Sequence, residues 1–109
     1  MTTFDERAKG FEKRFAMDQD LKFRAESRRN KMIAEWAAAK LGITGSDLED
    51  YIKAVRRADL QAKGDEDVFQ KLRGDFDAKG IAVSDTEIRE ALLKFLEDAV
   101  TQIQKEPKT

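Results

Sequence analysis

Two clusters hold the side chains that could do chemistry. Arg28, Arg29 and Lys31 lie within one helical turn, and Arg24 stands one turn earlier. Cations at that spacing suit phosphate oxygens or an acidic protein surface. The plainer reading is a solvated helix face with one or two stems lying over the core. Asp65, Glu66 and Asp67 form the second cluster. Consecutive carboxylates are what a helix start favours, as an N-cap and as a complement to the helix dipole. A divalent-metal site needs oxygen ligands spaced along a loop, which this run lacks, so no metal is expected.

Other chemistries lack their parts. The chain has no cysteine and no histidine, which removes disulfides, thiol catalysis, the usual zinc sites and a histidine-activated serine. Gly42 and Gly45 are too sparse for a phosphate loop, and no Lys-Ser/Thr ending follows them. Carboxylates, lysines and Tyr51 remain for acid–base work, and nothing marks any of them as tuned. No enzymatic activity is expected.

The bulk charge names no partner. At 109 residues the chain is one domain in size, and its net charge is −1. A pI of about 5.6 argues against a dedicated nucleic-acid binder. Charged residues make up 39%, against about 25% in ordinary domains. They divide unevenly: residues 1–31 hold nine Lys or Arg against six Asp or Glu, +3, and residues 32–109 hold twelve against sixteen, −4. No apolar run is long enough to span a membrane, and the charged start does not resemble a signal peptide. A soluble, cytoplasmic protein, monomeric when free, is expected.

The elements that place these clusters are helices. Beta signals are thin and the single proline is Pro107. Lys40-Leu41-Gly42, Lys63-Gly64 and Lys79-Gly80 read as helix stops, a cation in the last turn and then a glycine. Ser46 with Glu49 and Ser84 with Glu87 read as capping boxes, and Asp65 as an N-cap. The spacing predicts helices over 20–41, 47–62, 66–79 and 85–104. Their apolar faces carry Leu21, Ala25, Met32, Ile33, Trp36 and Ala37; Leu48, Ile52 and Val55 with Tyr51 beside them; Val68, Leu72 and Phe76; and Ile88, Leu92, Phe95, Leu96, Ala99 and Ile103. Acid-to-base i,i+4 pairs line the exposed faces: Asp20–Arg24, Glu49–Lys53, Asp67–Lys71, Asp75–Lys79, Asp85–Arg89 and Glu90–Lys94. Short loops imply antiparallel neighbours, hence an all-α, small four-helix bundle over 19–109.

Residues 1–18 stand apart. Phe4, Ala8, Phe11 and Phe15 form one helical stripe, with Thr3 and Glu6 as a capping box at its start. Extending the stripe lands on Asp18 and Lys22, so it does not run on into the first bundle helix. Gly10 costs a helix about 1 kcal/mol relative to alanine, and isolated helices this short are marginal in water. The stripe either folds back on its own bundle or enters a partner's groove; the phase break and Gly10 favour the second, so a segment that is loose alone and helical in a groove is expected, with Phe4, Arg7, Ala8, Phe11, Arg14 and Phe15 as its contact residues.

From Thr2 to Gly42 the sequence TTFDERAKGFEKRFAMDQDLKFRAESRRNKMIAEWAAAKLG resembles the opening of the zeta subunit family of α-proteobacterial F-type ATP synthases. Asp65-Glu66-Asp67-Val68-Phe69, and Ser84-Asp85 followed by Ile88-Arg89, extend the resemblance over nearly the whole chain. Two positions depart from the family pattern. Met17 stands where histidine is common, which removes a pH-sensitive group, and AESRRN varies the common ARRN form.

The resemblance implies a four-helix bundle with a mobile N-terminal inhibitory segment. It also implies an inhibitor of ATP hydrolysis at the catalytic head. On the same resemblance, residues 1–18 would become helical as they wedge between the catalytic α and β subunits near the central rotor and would block rotation in the hydrolytic direction. The bundle would anchor them there, at the cytoplasmic face of the inner membrane and without entering it. Two alternatives stay open: a regulator with weak ATP or ADP binding, phosphates on Arg24, Arg28, Arg29 or Lys31, and a helical adaptor for another partner.

Overall fold

A computed structural model describes residues 19–59 and 65–106. The 1–18 stripe with its Thr3–Glu6 box, and the Lys63–Gly64 stop, lie outside the described residues. Among the described residues four helices and no strand occur: α1 Gln19–Leu41, α2 Ser46–Ala58, α3 Glu66–Lys79 and α4 Asp85–Lys105. The all-α four-helix bundle expected from the sequence is the fold.

α1 is the central element. It packs against α2, α3 and α4, whereas α2 and α4 do not approach each other. A helix with three neighbours needs small residues on several sides, and α1 buries Ala25, Ala34, Ala37 and Ala38. Its C-terminal half meets Val55 of α2, Val68, Phe69, Leu72 and Phe76 of α3, and Ile88 and Leu92 of α4 in one core. Trp36 stands edge-on to Phe76 at 5.8 Å, at the margin of this core. The N-terminal half, through Ala25, forms a second core with Leu93, Ala99, Val100 and Ile103 of α4. α1 and α4 thus run antiparallel along their length, and α2 and α3 cover one end of the pair.

Among the described residues the stop signals at Gly42 and Gly80 and the start signal at Ser84 hold. Gly42 and Gly80 take φ of 76° and 69°, and Ile43 N–H and Ile81 N–H reach back to Ala38 O and Phe76 O. These are the left-handed closures a glycine allows. Ser84 Oγ accepts from Glu87 N–H at 3.1 Å, and Ser84 N–H donates to the Glu87 carboxylate at 3.3 Å, so this capping box forms. The Ser46–Glu49 box does not. The N-cap is Gly45, with φ of 64°, and Ser46 is already helical, so no side chain caps α2. The loop between two positive-φ glycines sets the entry, and it places the serine one residue too late. α2 runs to Ala58 with Asp59 as its C-cap, and the stretch 60–62 of the expected helix lies outside the described residues. Asp65 is the N-cap of α3 but makes no side-chain cap bond.

Several charges expected in pairs within one helix cross between helices instead. Arg89 of α4 reaches Glu66 of α3 at 3.1 Å and lies 3.9 Å from the Phe69 ring centroid. Arg73 of α3 holds Asp85 at 2.9 Å and Val83 O at 2.7 Å, which fastens the α3–α4 loop. Tyr51 of α2 donates to Asp75 of α3 at 2.7 Å, and Lys71 meets the same carboxylate at 3.0 Å. Burial and that carboxylate push the Tyr51 hydroxyl far above its ordinary pKa, so it stays a donor. Asp20–Arg24 forms as expected, at 4.0 Å.

The two serines give a direct comparison. Ser84→Ala should cost about 1 kcal/mol in urea unfolding, the worth of a formed N-cap, and Ser46→Ala only a few tenths. Equal losses would mean that both boxes form in solution.

Candidate partner-binding site

Adjacent residues on a helix point about 100° apart, and α1 uses this to separate its basic residues. Arg29 continues the Ala25–Ile33–Ala37 stripe and is 2% exposed. A buried guanidinium needs a partner, since it cannot be neutralised by losing a proton. Its Nε and Nη2 donate to Asn30 Oδ1 at 3.1 and 2.8 Å, and Nη2 lies 3.5 Å from Asp59 Oδ1. Asn30 Nδ2 completes the network, donating to Asp59 Oδ2 at 2.8 Å. Arg29 therefore departs from a solvated face: it joins α1 to the end of α2.

Acids crowd this network. Glu26, half-buried on α1 beside Arg29, is pushed above its ordinary 4.5 chiefly by burial, with Asp59 and Asp65 adding and Arg29 and Lys22 opposing. Asp59 is raised from 3.8 for the same first reason, against the Asn30 bond and Arg29 and with Asp67 and Asp65 adding. Asp67 Oδ2 is buried without a hydrogen-bond partner among the described residues. No group of side chains among them is arranged to hold a metal ion.

Arg24, Arg28 and Lys31 point outward. Arg28 pairs with Glu106, the C-cap of α4, at 2.7 Å and reaches Gln102 of α4 at 3.5 Å. Arg24 lies 3.8 Å from the same Glu106, and Arg28 holds that carboxyl below the usual range. With Phe23, Ser27 and Lys31 of α1 and Arg56 of α2, these arginines line one open surface groove. Sequence reasoning missed Phe23 and Arg56. Phe23 had a signal: the steps from it reach Ser27 and Lys31, so it is an aromatic on a polar face. Arg56 had none, since only packing shows which of Arg56 and Arg57 reaches α1. Phe4, Arg7, Ala8, Phe11, Arg14 and Phe15 lie outside the described residues.

The sequence model of one protein family, described as ATPase inhibitor subunit zeta, matches residues 1–102. The chain belongs to this family. A comparison with curated proteins finds no match. The zeta match spans 1–18 together with α1, α2, α3 and most of α4, so segment and bundle belong to a single family unit. The family is one of ATPase inhibitor subunits. No helix among the described residues is long and apolar enough to cross a membrane.

The Glu26 shift sets a sign for pH dependence. A carboxyl whose pKa is raised by folding binds its proton more tightly in the folded state. Its contribution to stability therefore falls as pH rises from 4.5 through the raised value. Glu26→Gln should be more stable than the parent at pH 7, and the difference should vanish below about 4.5. Urea unfolding of both proteins across that range checks it; a variant less stable at pH 7 would show that the Arg29 attraction outweighs burial.

Proposed function

We propose that the chain inhibits ATP hydrolysis by the catalytic head of an F-type ATP synthase. Residues 1–18 are the inhibitory segment and the bundle is its carrier. The observation that carries this reading is the match to the ATPase inhibitor subunit zeta family over residues 1–102, which includes the segment.

The segment engages the interface between the catalytic α and β subunits, beside the central rotor, and blocks rotation in the hydrolytic direction. Phe4, Ala8, Phe11 and Phe15 enter a groove there as one stripe, with Arg7 and Arg14 at its edge. Burying a phenylalanine is worth about 1.5–3 kcal/mol. Three of them offset the ordering of a short helix weakened by Gly10. The phase of the stripe supports an external groove. Its continuation reaches Lys22, which is exposed, whereas α1 buries from Ala25 onward. The protein accordingly works at the cytoplasmic face of the inner membrane, held there by the ATP synthase.

Deleting residues 1–18 should leave the helical content and cooperative melting of the bundle intact and abolish inhibition of the purified cognate enzyme. Equal inhibition by the truncated chain would sink the idea. Phe11→Asp with Phe15→Asp should weaken inhibition on the order of 100-fold or more with little change in melting temperature. A large fall in melting temperature would instead show that the segment packs in the core.

A further inference from the structure

One face of α1 is left unused by the bundle. Phe23 is 65% exposed, the exposed large hydrophobic among the described residues. The groove it shares with Arg24, Ser27, Arg28, Lys31 and Arg56 has four cations and no carboxylate in its lining. This sits on a chain whose net charge is −1. Lys31 and Arg56 meet no carboxylate among the described residues. Arg24 and Arg28 are oriented by Glu106 at 3.8 and 2.7 Å, yet their side chains remain 53% and 33% exposed.

An exposed aromatic among arginines has the composition of an interface hot spot, and the surrounding cations select its partner. We propose that this face is a second docking surface, which seats an acidic patch of the same ATPase head that residues 1–18 engage. The proposal rests on the inhibitor reading above. Chain connectivity supports it: Phe23 follows position 18 by only five residues, so a partner that takes the segment meets this face next. Phe23 enters an apolar spot, and carboxylates around that spot pair with Lys31 and Arg56, while Arg24 and Arg28 form the near rim. The charge balance favours a local acidic patch over a polyanion. Residues 32–109 carry −4, and an extended negative surface such as a nucleic acid or an anionic bilayer would be repelled by the remainder of the bundle.

The test uses the full-length chain, the purified cognate catalytic head and two variants, Phe23→Ala and the double change Lys31→Glu with Arg56→Glu. None of these residues is buried in the core, so melting curves should match the parent. Expected are a weakening of inhibition by about tenfold for each variant, and for the charge reversal a slower association that has lost most of its salt dependence. Parent-like inhibition and salt dependence in both variants, with the parent still inhibiting, would overturn the docking surface and leave the inhibitor reading standing. A parent that does not inhibit at all would overturn both. Titration with ATP, inorganic phosphate or anionic vesicles separates other occupants. If one of these binds the parent and not the charge reversal, while inhibition is unchanged, the groove belongs to it and the docking proposal falls. A concentration-dependent dimer of the free chain, broken by Phe23→Ala while inhibition stays unchanged, would overturn it too.

Discussion

A guanidinium that cannot shed its charge, held inside a small helical domain, constrains everything around it. Arg29 occupies a place on α1 where Ala25, Ile33 and Ala37 stand one and two turns away. Its charge must be met there, and Asn30 and Asp59 meet it. Asp59, the C-cap of α2, brings the end of that helix to α1. The acids at the start of α3 stand near the same spot and act on the Asp59 carboxyl. Replacing such a group by a hydrophobe of similar size is often neutral or stabilising, whereas removing only one partner is not. The value of the network is better sought in register, which pairs α2 with one turn of α1, than in net stability.

How far the sequence exposed this arrangement depends on whether local or tertiary forces decide each feature. α3 was legible end to end, because Val68, Leu72 and Phe76 recur at strict helical steps between an acidic start and Gly80. α1 and α4 were legible to within a residue for the same reason. α2 was not. Ser46–Glu49 and Ser84–Glu87 are the same pattern in sequence, and only the backbone path through Gly42 and Gly45 shows that the first serine arrives too late to cap. Ion pairs followed the same division: Arg89 has an acid one turn before it, yet the acid across the α3–α4 contact is the one it takes.

The basic cluster shows how a visible signal was misapplied. The apolar stripe through Ala25, Ile33 and Ala37 passes through Arg29, so its burial was implicit in the periodicity. Grouping Arg28, Arg29 and Lys31 by nearness in sequence concealed this. A helix turns about 100° per residue, and neighbours in sequence are therefore assigned to different surroundings. Phe23 is the mirror case, an aromatic placed off the stripe and left in solvent at 65% exposure.

These two departures from the hydrophobic pattern, a cation inside and an aromatic outside, lie about 120° apart around one helix and answer different demands. The inner one settles how α1 meets α2. The outer one contributes nothing to packing, and a domain of this size gains solubility from a polar residue there. Arg28, in the N-terminal half of α1, pairs with Glu106 just past the end of α4, and the same guanidinium borders the open groove. In the proposed inhibitor, residues 1–18 enter the target and the bundle carries them, and α1 is the element that holds this carrier together. Its inner face is fixed by charge to α2 and by alanine packing to its neighbours, so a load applied at its outer face is borne by the bundle as a whole.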